Sequence, residues 1–257
     1  MIKPSRTLAK LRSGGVATCT KINLADPRAV EIAAQAGFDC IWLDMEHVPN
    51  GIGVIEQQAL AARADDSDSL VRVARGAYSS YVRPLESGAT GIMVPHVMSA
   101  QDARDIVRMT RFHPIGRRPL DGGNTDGAFS AMDLSDYLRQ ANEERMLIVQ
   151  IEDYEPLSEL DEIASVAGID MLFFGPGDFS HSLGIPGEFD DPRVIDAKRR
   201  VADAAIKHGK FAGTVGSLAN AQELIDMGYR FISIGADVVS LVEYFKNIAA
   251  GWQRILN

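Results

Sequence analysis

The chain has 257 residues, with 26 basic and 35 acidic side chains and a formal net charge of −9. Hydrophobic residues make up 46% and charged residues 24%, a globular composition that excludes an intrinsically disordered chain. The acidic balance argues against nucleic acid and anionic membrane as partners, because a phosphate backbone rewards clustered Lys and Arg; no apolar run approaches the roughly 20 residues that span a bilayer.

Residues 1–13 are polar and basic with no apolar stretch, so a secretory signal is not expected and the chain reads as cytoplasmic. The first strand is predicted over 16–19. A helix follows over 27–36, with Asp26 as N-cap and Pro27 at its first position. Strand two spans 40–44 and its helix 52–63; strand three spans 70–73 and its helix 81–87; strand four spans 91–94 and its helix 100–110. The rhythm then breaks. Residues 111–129, "RFHPIGRRPLDGGNTDGAF", hold four Gly, two Pro and three Arg without periodicity. A loop of this length is usually functional, and it is expected on the C-terminal face of the sheet. Helix 134–142 leads into strand five at 147–151. The remaining pairs are helix 156–166 with strand six at 171–174, helix 193–208 with strand seven at 211–214, and helix 218–227 with strand eight at 231–234. A helix over 238–253 ends the pattern. Eight βα units in one chain predict a single-domain (β/α)8 TIM barrel over 1–257. An open doubly wound sheet is the alternative. It would have fewer strands and a GxGxxG turn after the first, whereas Gly14-Gly15 precede it. Cys19 and Cys40 lie in apolar strands without a CxxC and read as buried free thiols.

In this fold, chemistry gathers at the C-terminal strand ends. Asp44 closes strand two and His47 lies just beyond, a spacing suited to a carboxylate that orients a general base; a helix-capping Asp and a surface His is the competing reading. Arg72 alternates with Val71 and Val73, so it points into the barrel, where it needs an anionic ligand or a carboxylate. Gln150 and Glu152 face inward together on strand five, and Asp178 follows strand six in "FFGPGDFS". Two hard oxygen donors on adjacent strands suit Mg²⁺ or Mn²⁺, with an Asp helix cap and a Glu bonded to Arg72 as the other reading. Gly175 and Gly177 leave backbone N–H groups open to an anion. Of seven lysines only Lys21 lies beyond a strand's C-terminal end, so imine chemistry has one weak candidate. His96 ends strand four; His113, His181 and His208 read as loop or surface residues.

The segments "GFDCIWLDMEHVPN", "LVRVARG", "LESGATGIMVPHVMSAQDAR", "VQIED", "GIDMLFFGPGDFSHSLGIPG" and "GYRFISIGADVVSLVE" resemble, in order, the motifs of the HpcH/HpaI aldolase family of class II pyruvate aldolases. The resemblance implies a metal-dependent (β/α)8 barrel, assembled as a homohexamer whose subunits exchange the last helix. It implies metal ligation by Glu152 and Asp178, support from Gln150, an Arg72 contact to the keto oxygen of pyruvate, and a His47–Asp44 base dyad. Gly177, Asp178 and Val215 complete the implied substrate-binding set. The cofactor would be Mg²⁺, Mn²⁺ or Co²⁺, and the substrates pyruvate or a related 2-oxo acid plus an aldehyde. Two positions depart from the pattern. Glu86 stands where the family often has an Asp reaching a neighbour's site, and Arg118 matches the usual Arg of G-x-R-G but is followed by Pro119 and the acidic "LDGGNTDG". The rivals are a CoA-thioester lyase of the citrate-lyase-like superfamily, a phosphate-handling barrel using Gly216-Ser217 and Gly235-Ala236, and a non-catalytic binding protein on the same barrel.

Overall fold

The computed structural model describes residues 2–257. Eight parallel strands close in sequence order into a barrel: β1 (Ala17–Ile22), β2 (Cys40–Asp44), β3 (Asp68–Arg72), β4 (Gly91–Val94), β5 (Met146–Ile151), β6 (Met171–Phe174), β7 (Phe211–Gly216) and β8 (Phe231–Ala236), the last pairing with the first. Around it run α1 (Arg6–Arg12), α2 (Pro27–Gln35), α3 (Ile52–Ala64), α4 (Tyr78–Glu86), α5 (Ala100–Thr110), α6 (Leu134–Glu144), α7 (Leu160–Ser165), α8 (Pro176–Ser182), α9 (Pro192–Lys207), α10 (Ala221–Asp226) and α11 (Asp237–Leu256). Each predicted strand is present: β2, β4 and β6 have the predicted bounds, and the other five differ by one to three residues at an end. The sequence pattern missed α1 and α8, which are one to two turns long and too short to show a period. It also merged a 3₁₀ turn at Glu155–Glu159 with α7.

Strand alternation builds two apolar layers. Ile41, Leu43, Val71, Ile92 and Val149 face the helices; Cys19, Cys40, Trp42, Leu70, Met93, Ile148, Met171, Phe173 and Phe231 fill the barrel. Cys19 and Cys40 are buried free thiols, opposite one another in register. Leu8 and Leu11 of α1 join the interior layer, so this short helix plugs the N-terminal mouth. It is held there by Ser5 and Thr7, which both donate to Asp68, and by Lys10, 2.7 Å from Asp39. No helix of the described residues is long and apolar enough to cross a membrane.

The 111–129 loop corrects the sequence expectation. Helix α5 starts at the C-terminal end of β4 and runs back, so the chain that leaves it begins at the N-terminal face. It remains there, because Asp126 bonds Arg145, the residue just before β5, and Thr125 packs on Gly88 just before β4. Aperiodicity marks a loop, but helix direction decides its face. At its end, Ala128, Phe129 and the following Ser130 are all left-handed, at φ of 51°, 55° and 62°; such a conformation costs about 1–2 kcal/mol per L-residue.

Leu8→Ala opens a void in the plugged mouth, since Leu8 is 1% exposed. It should destabilise the protein by about 2–5 kcal/mol in denaturant unfolding, while Leu24→Ala, at a 38% exposed position, should change stability by less than about 0.5 kcal/mol.

Candidate active site

Four strand ends meet at the C-terminal mouth. Asp44, fully buried, is the last residue of β2, and Arg72 is the last of β3, directly opposite it in register. The guanidinium grips the carboxylate as a fork, Nε to Oδ1 at 3.0 Å and Nη2 to Oδ2 at 2.7 Å. Lys21, from the neighbouring β1, places Nζ 2.8 Å from the same Oδ2. Both cations lie over the Trp42 ring, at 4.9 Å for Arg72 and 5.2 Å for Lys21. Burial opposes the Asp44 charge, but the hydrogen bonds and charges of Arg72 and Lys21 prevail and hold its carboxyl well below the usual range.

This arrangement corrects the expected dyad. Asp44 does not meet His47, because its oxygens are taken by Arg72, Lys21 and the Glu46 amide. His47 is 55% exposed, and its Nε2 lies 3.4 Å from Glu46 Oε2. Glu46 is the residue that sequence reasoning passed over. It stands 3.1 Å from Arg72 Nε and 3.9 Å from His96 Nε2. The signal was available: Glu46 shares parity with Asp44, so it continues the inward face.

On the other side of the mouth, Glu152 is 1% exposed. Its Oε1 accepts from the His96 amide at 2.9 Å, and its Oε2 accepts a very short bond from Gln150 Nε2. His96 adopts φ 49° and turns its Nδ1 to Asp153 Oδ2 at 2.8 Å. Burial works against a charged His96 ring, yet Asp153, Glu152 and Glu46 raise its pKa overall. Gly175 makes room: a Cβ there would sit 2.8 Å from Glu152 Oε2 and 2.9 Å from Gln150 Nε2. Asp178 stands half-buried in the first turn of α8. Burial pushes Glu152 up to about 7; the nearby carboxylates of Asp178 and Glu46 add to the rise, and His96 opposes it. Gly177 is exposed beside open space, and Val215, 36% exposed, lies near the C-terminal end of β7.

A divalent cation fits this donor set. Glu152 is a buried carboxylate whose charge is disfavoured without a counter-ion, and the Gln150 Oε1 atom is buried without a partner. Oxygen donors select hard cations such as Mg²⁺ or Mn²⁺. Among the described residues no group of three His, Cys, Asp or Glu side chains closes round a point, so water and substrate would supply the other ligands.

Glu86 and Arg118 lie elsewhere. Glu86 ends α4 at the N-terminal face, and burial raises its pKa against the opposing charge of Arg118. Arg118 is buried, 2.8 Å from Asp126, with its guanidinium 4.6 Å from the Phe112 ring. Within one protomer neither residue joins the strand-end site.

The HpcH/HpaI aldolase/citrate lyase family profile matches residues 22–243. The chain is 33% identical to a hydroxypyruvate/pyruvate aldolase of Roseovarius nubinhibens, over 98% of this chain and 99% of that one. It is 31% identical to a 5-keto-4-deoxy-D-glucarate aldolase of Klebsiella pneumoniae, over 92% of each. A solved HpcH/HpaI aldolase from Desulfitobacterium hafniense superposes with a TM-score of 0.89 at 29% identity, covering 96% of this chain and 95% of that one.

Asp44→Asn would leave Arg72 and Lys21 facing a neutral amide. Denaturant unfolding should show a loss of about 3–5 kcal/mol, as for breaking a buried ion pair. Glu143→Gln, which removes the exposed partner of Arg139, should cost less than about 1 kcal/mol.

Proposed function

The chain belongs to the HpcH/HpaI aldolase/citrate lyase family and is an aldolase, a carbon–carbon lyase; from that premise we propose that it makes and cleaves the bond between a pyruvate-type 2-oxo acid and an aldehyde, using a divalent cation. The observation that carries this reading is the buried Glu152 beside Asp178, with the unpartnered Gln150 oxygen and the inward Arg72 at the same mouth.

Glu152 and Asp178 would hold the cation, which supplies a Lewis acid for the 2-oxo acid's carboxylate and keto oxygens. Arg72 offers guanidinium N–H groups to the keto oxygen as negative charge builds there. Asp44 and Glu46 keep that guanidinium oriented, so the electrostatic stabilisation is built before substrate arrives. Gln150, bonded to Glu152, holds the carboxylate's rotamer. The open backbone at Gly177 admits a substrate carboxylate, and Val215 supplies an apolar wall.

In the cleavage direction His47 accepts the proton of the 4-hydroxyl. The C3–C4 electron pair then passes to the 2-oxo acid fragment as its enolate, and the aldehyde leaves. The proton held on the ring then passes to C3 of the enolate, which gives the 2-oxo acid; in synthesis the ring takes a C3 proton and delivers it to the new alkoxide. Glu46, rather than Asp44, is the carboxylate placed to orient His47. Lys21 Nζ is held 2.8 Å from Asp44 Oδ2, a contact that an imine-forming amine would have to give up.

Assembly is the second element of the proposal. Helix α11 has no buried residue, and Leu241, Val242, Tyr244, Phe245, Ile248 and Trp252 are all exposed. An apolar surface of this extent marks an interface. We assign it to exchange of α11 between subunits of a homohexamer, which would also bring Glu86 and Arg118 of one subunit toward the mouth of another. Phe245→Asp combined with Trp252→Asp should lower the mass measured by light scattering; an unchanged oligomer would remove α11 from the interface.

Chelation with EDTA should abolish pyruvate release from a 4-hydroxy-2-oxo acid, with Mg²⁺, Mn²⁺ or Co²⁺ restoring it. Glu152→Gln or Asp178→Asn should prevent restoration while the circular dichroism spectrum stays native. His47→Ala should lower kcat by roughly 10²–10⁴-fold, as for loss of a general base, with far less effect on pyruvate binding. Full activity after exhaustive chelation, or a borohydride-trapped pyruvyl adduct on Lys21, would overturn the metal reading.

A further inference from the structure

The aldol chemistry gives Lys21, a cation at the catalytic mouth, no part. On β1, Ala17 and Cys19 face the barrel interior and Ile22 faces the helices, so alternation turns Lys21 inward near the top of the strand. Its Nζ stands 2.8 Å from Asp44 Oδ2 and 5.2 Å from the Trp42 ring, with 20% of the side chain exposed. Between Cys19 and Lys21 the pairing of β1 with β8 slips, and Gly235 there has φ 80°. Irregularities of this kind re-aim a strand end and gather beside active sites.

The Arg72 fork alone engages both oxygens of Asp44, and Lys21 Nζ has no second partner among the described residues. An ammonium carries three N–H donors, so two remain for water or a ligand. The other cations nearby are more heavily committed. Arg72 faces Asp44 and Glu46, and His96 faces Asp153, Glu152 and Glu46. Past Lys21 the rim of the mouth carries Gly235, Val215 and Gly177, none of them charged. A Cβ at Gly235 would meet only Thr20 Oγ1, at 3.7 Å, and one at Gly177 would meet nothing. Asp237, the next acid along, turns its oxygens to the amides of Asn23, Leu24 and Val238.

Reach decides what Lys21 can touch. Arg72 Nη2 and Lys21 Nζ lie 2.7 and 2.8 Å from the same Asp44 oxygen, so the two nitrogens are only a few ångströms apart. With the keto oxygen on Arg72 and the carboxylate at Gly177, the 2-oxo acid lies across the β3 to β6 side. The aldehyde carbon becomes C4, whose hydroxyl meets His47 just beyond β2. The rest of the aldehyde is then left the sector beside β1, where Lys21 stands. A charged group there would gain a charge-assisted hydrogen bond that a neutral one forgoes.

We propose that Lys21 is a specificity residue that selects acceptor aldehydes carrying an anionic group, a carboxylate or a phosphoryl group, by offering that group its free N–H donors. The assignment rests on the aldol reading and adds the class of its second substrate.

Rates of condensation with pyruvate in the presence of Mg²⁺ test it, comparing succinic semialdehyde with butanal and glyceraldehyde 3-phosphate with glyceraldehyde. The wild type should favour the charged member of at least one pair in kcat/KM, the larger ratio identifying the head group, and the preference should shrink as salt rises. Lys21→Met should reduce the ratio about ten- to hundredfold, as for loss of a hydrogen bond to a charged group. Lys21→Arg, which keeps the charge, should retain the preference. Where Lys21→Met fails to fold, Lys21→Gln carries the same test. A merely structural Lys21 would slow both members of a pair alike. An unchanged ratio in the neutral variant, the result also expected if a second subunit supplies the recognition, would overturn the proposal, as would a wild type without preference in either pair; both leave the aldol reading standing. Condensation with none of the four aldehydes would overturn the aldol reading, and this proposal with it.

Discussion

Asp44 is a fully buried charge at the end of a barrel strand, and the catalytic mouth is organised around how that charge is met. A single carboxylate takes the Arg72 fork and the Lys21 ammonium together, and both cations rest on Trp42. A buried pair of this kind is tolerated only when its geometry is good and its remaining donors are satisfied. Meeting those terms fixes the orientation of the Arg72 guanidinium. It also withdraws Asp44 from proton chemistry, leaving Glu46 as the carboxylate next to His47.

Glu152 presents the opposite electrostatic case at the same mouth. Within the chain it has hydrogen-bond donors in Gln150 and the His96 amide but no close guanidinium or ammonium of its own, and burial with two neighbouring carboxylates pushes it up to about 7. Asp44 is paired with a guanidinium and an ammonium and held ionised; Glu152 has only the His96 ring, Nδ1 at 3.8 Å, as a cationic neighbour within 4 Å among the described residues. The two sides of the mouth thus differ in electrostatic character, and groups with opposed environments of this kind gather at functional sites.

The far end of the barrel repeats the theme with a different result. Asp126 receives Arg118, Arg145 and Tyr137, and so ties the 111–129 loop to the start of β5. Here one carboxylate serves two guanidinium groups, with Glu86 beside them.

Much of this is legible in the residues. Eight apolar runs separated by amphipathic stretches specify a (β/α)8 barrel, because period 2 and period 3.6 alternate along the chain. Inward parity at Arg72, Gln150 and Glu152 follows from the order of residues alone, since alternation along a strand is a local property. Three matters were decided only by tertiary structure. The partner of Asp44 was decided by strand register, which sets Arg72 opposite it and brings Lys21 across from β1, while sequence proximity favoured His47. The face of the 111–129 loop was decided by the direction of α5, which no composition encodes. Helix α11 reads as amphipathic in sequence, yet none of its residues is buried within its own chain, because the path the chain takes after β8, rather than its composition, decides which helices lie flat on the barrel.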